Sequence, residues 1–566
     1  WRAEMLEQAK RNRFNTTSGT GRKRKLDDDG NLIPQEPTYY RTLKFRVRFS
    51  DPVRQRQILN NWTGAARYTY NRARRGTQEG MPMRAAELRD RYVAETSVAG
   101  TGRQPVTDEG RKAQEKRQAK KEERRTTLGY GTGELLHEKP WLKFTPSSIR
   151  SGAINALLQA SKALQSKAKL ARERGGAKAS NQEWGFHPKE RRDPSDSTIT
   201  IEHTKLRELQ IVDRPTRATG NKPTKRKWTR FRMFDTEVAE RRGPCPKWHD
   251  GKTLGELYLT EDLSNPKFGG DGISPAAIRH DCKLTRDARG RFFLHVPVAT
   301  PLPDPKPVPQ RAMGAIDPGG RTPFTAWGPT GHGSFGDDGF NEKILPLCQK
   351  LDILVGRRNR IVAKWKRGQW EVGQKTHQHA LAVVDGNLPV VATSGQWLGG
   401  MKSYQHTLAR LEYRIAVLRD RIKHLVDQLH KRAARSLLEK FDTILLPVFE
   451  TQKMVEHKNA ESGRRRVITS KTARSMMSWA HYRFRAFLKH KALMLGKEVV
   501  VVDESYTTKG CSRCGLITDI GGSKTFNCQH CGLCAPRDAK SARDIFAKHI
   551  VAMPTGFARL ATSQRF

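Results

Sequence analysis

Two cysteine knuckles near the C-terminus constrain the fold of this chain more than any other feature. Cys511-Ser-Arg-Cys514-Gly and Cys528-Gln-His-Cys531-Gly repeat the pattern CxxCG, and 13 residues lie between Cys514 and Cys528. Each knuckle can present two thiolates from one tight turn, because the glycine that follows accepts a left-handed backbone. Four thiolates suit the closed tetrahedral site of a structural zinc ion. The pattern therefore predicts a zinc ribbon with these four ligands, with Cys534 open as a substitute.

The charge of the chain limits what it can bind. Its 566 residues include 105 Lys and Arg against 58 Asp and Glu, which gives a formal net charge of +47. Such an excess repels itself in a compact fold unless a polyanion neutralises it, and nucleic acid is the polyanion that best fits. The longest apolar runs, such as the valines at 499–502, fall far short of the roughly 20 residues of a membrane span. The composition therefore predicts nucleic-acid binding and excludes a membrane protein.

The first 38 residues are polar and basic and have no hydrophobic period, which is typical of a flexible tail. Lys10-Arg11 is followed ten residues later by the basic run 22–25. Two basic clusters at this separation favour a bipartite nuclear import signal, and thus location in the nucleus. A phosphate-binding arm is the alternative.

Hydrophobic periodicity predicts strands and helices in the N-terminal half. Residues 39–49 alternate apolar and basic side chains, as in a strand with one cationic face, and residues 58–70 have helical spacing. Further strands are expected at 197–202 and 291–298. A Pro-rich linker at 301–310 follows.

The second half alternates strands and helices, which favours a mixed α/β domain. One long helix has seven apolar residues at strict three- and four-residue spacing, so it needs a helical partner. We expect that partner within the chain, around residues 351–365, in preference to a second copy. The seven residues are Leu408, Leu411, Ile415, Leu418, Ile422, Leu425 and Leu429. The other elements are expected at 313–316, 443–449 and 499–502 for strands, and at 475–495 and from about 538 for helices.

Three acidic residues lie at the ends of predicted elements in this half. Asp317 ends the first strand, Glu504 follows the valine-rich strand, and Asp538 begins the last helix. Phosphodiester hydrolysis by two metal ions needs such a cluster of hard oxygen ligands, which suit Mg²⁺. The residues alone thus predict a basic, zinc-containing nucleic-acid protein that could be a metal-dependent enzyme.

Several ordered motifs resemble the RuvC-like nucleases of the TnpB family. GAIDPGGRTPFTAW, the strand before YTTKGCSRCG, the second knuckle and RDAKSARDIF occur in the family's order, and TLKFRVRF matches its N-terminal half. The basic tail and Pro447 point to the eukaryotic Fanzor branch. TnpB proteins have a catalytic Glu at that position, whereas Fanzor proteins supply one from the strand before the ribbon, here Glu504. Glu450 is the rival, and Asp503 ranks third.

The resemblance implies an RNA-guided DNA endonuclease. A noncoding guide RNA (ωRNA) would bind the protein and pair with one strand of double-stranded target DNA, and the protein would read a short adjacent motif. Asp317, Glu504 and Asp538 would hold two catalytic Mg²⁺ ions, and a structural Zn²⁺ would brace the ribbon. Lys540 replaces the family's Asn, which puts fine positioning in question, and Asp544 is expected to be structural. The protein would act as a monomer within its ribonucleoprotein.

The resemblance also implies a multidomain α/β architecture with a RuvC-like domain of the RNase H fold, a nested zinc ribbon, an N-terminal wedge β-barrel and an inserted helical recognition lobe. Two other functions stay open, a transposon-encoded regulator with a degenerate, non-cleaving RuvC domain and an unguided enzyme that joins DNA strands. The expected boundaries are 1–38 for the tail, 39–55 and 191–300 for the wedge, 56–190 for the lobe, 301–310 for the linker, 311–509 and 535–566 for the nuclease, and 510–534 for the ribbon.

Overall fold

The computed structural model divides the chain into two compact units, Thr38–Thr300 and the part from Pro301 onward. The tail, the linker and Glu504 lie outside the described residues. No helix in the described ranges is long and apolar enough to cross a membrane. The structure describes residues 39–93, 144–173, 198–215, 225–234, 254–265, 280–300, 312–337, 339–384, 394–456, 468–503 and 507–550, with isolated residues between some of them.

The N-terminal unit contains one antiparallel sheet of seven strands. They are β1 (Tyr39–Phe49), β2 (Thr198–Ile201), β3 (Leu206–Pro215), β4 (Lys225–Met233), β5 (Leu257–Leu259), β6 (Cys282–Arg286) and β7 (Phe292–Thr300). Their order is β2-β6-β7-β1-β5-β4-β3. The strands expected at 39–49, 197–202 and 291–298 are confirmed as β1, β2 and β7. Within the described residues the end strands β2 and β3 do not pair, so a closed barrel stays a prediction.

Three helices pack on this sheet: α1 (Pro52–Gln78), α2 (Ala85–Tyr92) and α3 (Ser147–Glu173). Asp51 caps α1 by accepting a hydrogen bond from the Arg54 N–H, which satisfies one of the unpaired amides of the first turn. Helix and strand residues share one hydrophobic core, in which Leu59 of α1 and Leu294 of β7 are fully buried. The described helices therefore fold together with the sheet.

The C-terminal unit contains a mixed sheet of five strands. They are β8 (Met313–Pro318), β9 (Phe324–Gly328), β10 (Gly331–Phe335), β11 (Thr443–Pro447) and β12 (Glu498–Val502). The order is β10-β9-β8-β11-β12. β8, β9 and β10 form an antiparallel meander, whereas β11 runs parallel to both β8 and β12. The carboxyl ends of β8, β11 and β12 therefore meet at one edge of the sheet.

A helical hairpin, α4 (Leu345–Val384) and α5 (Ser394–Lys440), separates β10 from β11 in sequence. Leu354 of α4 packs against Leu411 and Ile415 of α5, and Trp365 stacks on Tyr404 at 4.4 Å between ring centroids. The predicted intramolecular partner of α5 is thus confirmed. Each buried leucine or isoleucine at this seam stabilises the hairpin by roughly 1.5–3 kcal/mol.

The remaining helices are α6 (Thr451–Val455), α7 (Ser470–Trp479), α8 (His481–Leu493) and α9 (Arg537–Ile550). The prediction of one helix over 475–495 is wrong, because the chain breaks at Ala480, which has a left-handed backbone with φ of 51°. Helical spacing of apolar residues continues through the break, so periodicity alone could not reveal it. Two short strands, β13 (Thr525–Asn527) and β14 (Cys534–Pro536), pair between β12 and α9 in sequence.

Candidate metal sites

Asp317 lies near the end of β8 on the face that α9 covers. Met313 and Ala315 pack against Ile545 and Phe546 of α9, and side chains alternate along a strand, so Asp317 shares their face. The turn that follows needs Gly319, where a Cβ atom would lie 2.6 Å from the Thr322 carbonyl oxygen. The strand thus delivers a half-buried carboxylate to the edge where the parallel strands end.

Asp538 lies in the first turn of α9, where the positive end of the helix dipole stabilises a carboxylate. Ala542 and Ile545 follow it at helical spacing and are fully buried, so Asp538 is on the helix face that packs on the sheet. Its Oδ1 accepts a hydrogen bond from Arg537 Nε at 3.1 Å, and its side chain is 34% exposed. α9 and β8 therefore bring Asp538 and Asp317 to the same interface while leaving Asp538 accessible.

The third carboxylate is not placed, because Glu504 lies outside the described residues. Its rival Glu450 is exposed and precedes α6 as the N-cap residue. Asp503 is also exposed, and its carboxylate forms an ion pair with Lys548 at 2.7 Å. Pro447 ends β11 opposite Val502 of β12 and has no side-chain ligand to offer. The described geometry therefore gives Asp503 a cation partner and Glu450 a place at a helix start.

Two hydrogen bonds from α7 hold the loop after Asp317. The Gly320 carbonyl accepts from Ser475 Oγ at 2.6 Å and from Trp479 Nε1 at 3.0 Å. Both donors are largely buried, with side chains packed under the loop. Sequence reasoning missed these supporting residues, because the hydrogen bonds join positions 155 and 159 residues apart in the chain.

Two buried histidines lie beneath the same edge of the sheet. His481 packs edge-on against Phe324 and Phe449, and His430 Nε2 donates a hydrogen bond to the Trp479 carbonyl at 2.8 Å. Burial lowers the pKa of His430 to about 4 and that of His481 to about 3, and for His481 the nearby His430 adds to the effect. Both side chains are therefore neutral in the folded protein at neutral pH.

We expect the stability of the C-terminal unit to fall between pH 6.5 and pH 4. In the unfolded chain each histidine binds a proton below about pH 6.5, whereas the folded state excludes it, so stability is lost as the pH decreases. The loss at pH 5 is about 2 kcal/mol for each histidine. Thermal melts of the His430→Gln variant, which keeps a donor for Trp479 but does not titrate there, should show a flatter pH profile. The His424→Gln variant, which changes an exposed histidine, should keep the pH profile of the parent chain. Equal pH profiles for the two variants would contradict the prediction.

The four predicted zinc ligands converge in the structure. The Sγ atoms of Cys511, Cys514, Cys528 and Cys531 all lie within 4.8 Å of one another, with 3.5 Å between Cys511 and Cys531 and 3.6 Å between Cys514 and Cys528. Tetrahedral zinc with Zn–S bonds near 2.3 Å requires sulfur atoms about 3.8 Å apart, so the residues fit the ion. In the described part of the chain, these four cysteines are the one group of three or more His, Cys, Asp or Glu side chains that could hold a metal ion.

Backbone geometry prepares the knuckles for a metal. Gly515 and Gly532 have φ of 75° and 71°, and each donates its N–H to the carbonyl of the first cysteine of its knuckle. Backbone N–H groups, that of Cys531 foremost, lower the pKa of Cys528 to about 6. Cys528 therefore favours the thiolate, the form that binds zinc, whereas the pKa of Cys531 is raised despite the Leu533 N–H, by burial and by the neighbouring thiols.

We expect the purified protein to contain one zinc ion per chain, measured by elemental analysis. The Cys511→Ser variant should lose it, because three thiolates cannot close the site. The Cys534→Ser variant is the matched control, since exposed Cys534 lies outside the four-sulfur group. Zinc loss in the Cys534→Ser variant, or retention in the Cys511→Ser variant, would contradict this ligand assignment.

Lys540 connects the ribbon to α9, a contact that its replacement of the family's Asn did not reveal. Its side chain is 1% exposed, and its Nζ donates to the carbonyls of Thr507, at 3.0 Å, and Gly510. It also forms an ion pair with Asp544 at 2.9 Å and lies 4.3 Å from the centroid of Phe526. Asp544 thus has the structural role that was expected. The i,i+4 spacing of Lys540 and Asp544 on a predicted helix could have indicated this ion pair from the sequence.

A protein-family model matches the C-terminal part of this chain. The sequence model of the Cas12f1-like TNB domain matches residues 481–545, which include α8, the four cysteines and Asp538. This part of the chain is TnpB-like and Cas12f-like. A TnpB-like protein of Acanthamoeba polyphaga mimivirus is 33% identical over 125 residues, 22% of this chain and 23% of the relative.

Two further relatives extend the comparison. A putative transposase of Paramecium bursaria Chlorella virus 1 is 28% identical over 295 residues, 52% of this chain and 55% of the relative. The CRISPR-associated endodeoxyribonuclease Cas12f1 of Sulfoacidibacillus thermotolerans is 35% identical over 81 residues, 14% of this chain and 19% of that protein. The chain therefore spans from about a fifth to just over half the length of these three TnpB-like, transposase and Cas12f relatives.

Proposed function

We propose that this chain is an RNA-guided DNA endonuclease of the TnpB type with a RuvC-like centre. The observation that carries the proposal is that Asp317 of β8 and Asp538 of α9 lie on the faces through which this strand and this helix pack together. One relative, 35% identical over 81 residues, is named an endodeoxyribonuclease. A basic chain with paired carboxylates at the end of a sheet suits phosphodiester cleavage better than binding alone.

The topology of the C-terminal sheet supports a RuvC-like domain. An antiparallel meander, followed by two strands parallel to its first, in the spatial order 3-2-1-4-5, is the arrangement expected of the RNase H fold. In such a sheet the acidic residues of the first strand and of the final helix serve one centre. β8 and α9 are these two elements here, so the site and the fold support the same reading.

Glu504 is our candidate for the third ligand. It has the same sequence parity as Val500 and Val502, and both valines pack on the face of the sheet that carries Asp317. Glu450 lies three residues beyond Pro447 and has the opposite parity to Leu445 on that face. We also propose that the chain belongs to the Fanzor branch, because Pro447 stands where TnpB proteins have a carboxylate and Glu504 would replace that carboxylate.

The carboxylates of Asp317, Glu504 and Asp538 would hold two Mg²⁺ ions. Bound Mg²⁺ would activate the attacking water and stabilise the leaving oxygen. The protein's part is to fix Asp317 through the Gly320 hydrogen bonds and to fix Asp538 through the packing of α9 on the sheet. Zn²⁺ in the ribbon would hold the segment between β12 and α9 in place.

A guide RNA would supply sequence recognition, so that the protein needs only to bind backbones and a short motif beside the target. The net charge of +47 suits a resident RNA that neutralises the protein before it meets duplex DNA. We further propose that residues 39–55 and 191–300 act as a wedge, that residues 56–190 contact the heteroduplex, and that the tail directs a monomeric ribonucleoprotein to the nucleus.

The experiment that tests this function is purification of the chain from cells that carry its native locus, followed by sequencing of bound RNA. We expect one RNA with a constant scaffold and a distinct terminal segment. A plasmid that matches that segment should be cut with Mg²⁺ and not with EDTA, and a mismatched plasmid should stay intact. A random mixture of cellular RNA with no guided cutting would overturn the proposal.

A further inference from the structure

The N-terminal unit contains a cavity of about 210 Å³ where β1 changes its partner strand. Residues 39–46 of β1 pair with β7, and residues 47–49 pair with β5. β1 lies between these two strands in the sheet, and Arg46 and Arg48 lie in sequence on either side of the change of partner. Pro52, at the start of α1, forms another part of the wall.

Four arginines and no acidic residue line this cavity, namely Arg46, Arg48, Arg56 and Arg291. Burial lowers the pKa of Arg46, and the charges of Arg48 and Arg291 lower it further. Asp287 opposes this effect, but its carboxylate already forms an ion pair with Arg291 at 2.5 Å. The cavity thus collects more positive charge than its protein neighbours neutralise, and a bound anion would relieve the repulsion.

Aromatic side chains line the same cavity. Phe49 and Trp228 contribute to its wall, and the guanidinium of Arg56 lies over the Phe49 ring at 5.3 Å from the centroid. Aromatic and guanidinium planes are the surfaces on which unpaired bases stack, whereas arginine forks hold the phosphates. The cavity therefore has aromatic surfaces for the base of a nucleotide and arginines for its phosphate.

We propose that this cavity binds one unpaired nucleotide of the guide RNA, with its phosphate at Arg46 and Arg48 and its base beside Phe49 and Trp228. The inference rests on the proposed function for the identity of the RNA. Arg46 is half-buried beside exposed Arg48, and the folded unit holds these like charges together permanently, which favours a resident ligand over a transient one. This favours the guide RNA over target DNA.

The test measures binding of the copurified RNA, transcribed and end-labelled, and of fluorescent octauridine and octadeoxythymidine. Arg46→Gln/Arg48→Gln should lower the slope of log affinity against log salt for RNA by about 1.4, as expected for two lost phosphate contacts. Trp228→Leu should weaken RNA binding roughly tenfold with little change in slope. The matched control is Arg419→Gln/Arg421→Gln, which removes the same charge at exposed positions on α5, outside the cavity and outside the N-terminal unit.

An equal loss of RNA affinity in the cavity variant and the control variant would overturn the proposed site, because the loss would then depend on net charge alone. A loss confined to octadeoxythymidine would also overturn it and assign the cavity to DNA. Circular dichroism must first show that each variant melts like the parent chain. If the parent copurifies with no defined RNA, the proposed function fails, and octauridine still decides whether the cavity binds RNA. If the parent cuts guided DNA and the cavity variant binds RNA normally, only this inference fails.

Discussion

An Asp317→Asn variant is expected to lose DNA cleavage by about a thousandfold while it keeps its RNA. The substitution preserves the size of the side chain but removes the charge that would hold a divalent ion, and such metal contacts are worth several kcal/mol in the transition state. The fold should survive, because Asp317 is only half-buried at the end of β8. Single-turnover cleavage of a matched plasmid, measured beside RNA binding, separates the two effects.

Asp503→Asn is the matched control for this prediction. Asp503 is the residue before Glu504 in the sequence, but its carboxylate is exposed and paired with Lys548. Removing the charge of Asp503 should therefore change the cleavage rate less than threefold. If the Asp317→Asn variant cuts within tenfold of the parent, the proposed centre is wrong. If neither parent nor variant cuts DNA, the non-cleaving regulator becomes the better reading. DNA joining without a guide would favour the strand-transferring enzyme.

The same assay distinguishes the two glutamates. Glu504→Gln should abolish cutting with RNA binding intact, and Glu450→Gln should not, because Glu450 is exposed at the start of α6. The reverse outcome would make Glu450 the third ligand and would remove the parity argument for Glu504.

A Lys540→Met variant is expected to lose roughly 3–5 kcal/mol of stability. It leaves Asp544 without its cation and deprives the Thr507 and Gly510 carbonyls of a donor in a buried place. Burial already raises the pKa of Asp544 despite the nearby Lys540, so this carboxyl is costly to leave unpaired. Because Lys540 is two residues after Asp538, loosening it should also slow cleavage. Urea unfolding gives the stability and the plasmid assay gives the rate.

Lys548→Met is the matched control on the same helix. Lys548 also pairs with an aspartate at 2.7 Å, but both partners are exposed, so the loss should stay below about 1 kcal/mol. A double-mutant cycle of Lys540→Met with Asp544→Leu should show that the two residues are coupled, since the double variant removes both charges together. Equal and small losses in the Lys540→Met and Lys548→Met variants would show that the ribbon is held to α9 by other contacts.

Local patterns predicted the parts of the fold that depend on near neighbours in sequence. The cysteine spacing predicted a group of four thiolates that the structure brings together, and period-two alternation located β1. The strands expected at 313–316 and 499–502 match β8 and β12 within two residues. The three- and four-residue spacing along α5 required a helical partner, and Leu354 of α4 supplies it. These features follow from chirality and side-chain period, which a short stretch of chain already contains.

Tertiary structure alone decided which distant residues meet. No sequence pattern shows that Gly320 accepts hydrogen bonds from Ser475 and Trp479, or that Ala480 takes a left-handed backbone to end α7. Lys540 looked like an impaired copy of a family residue, and only the burial of its ammonium between Thr507, Gly510 and Asp544 gives it a role. The sequence by itself determined the elements that a local side-chain period reveals and the types of side chain available as ligands. Packing decided which side chains lose water together, and that loss of water is what makes a buried charge or donor matter.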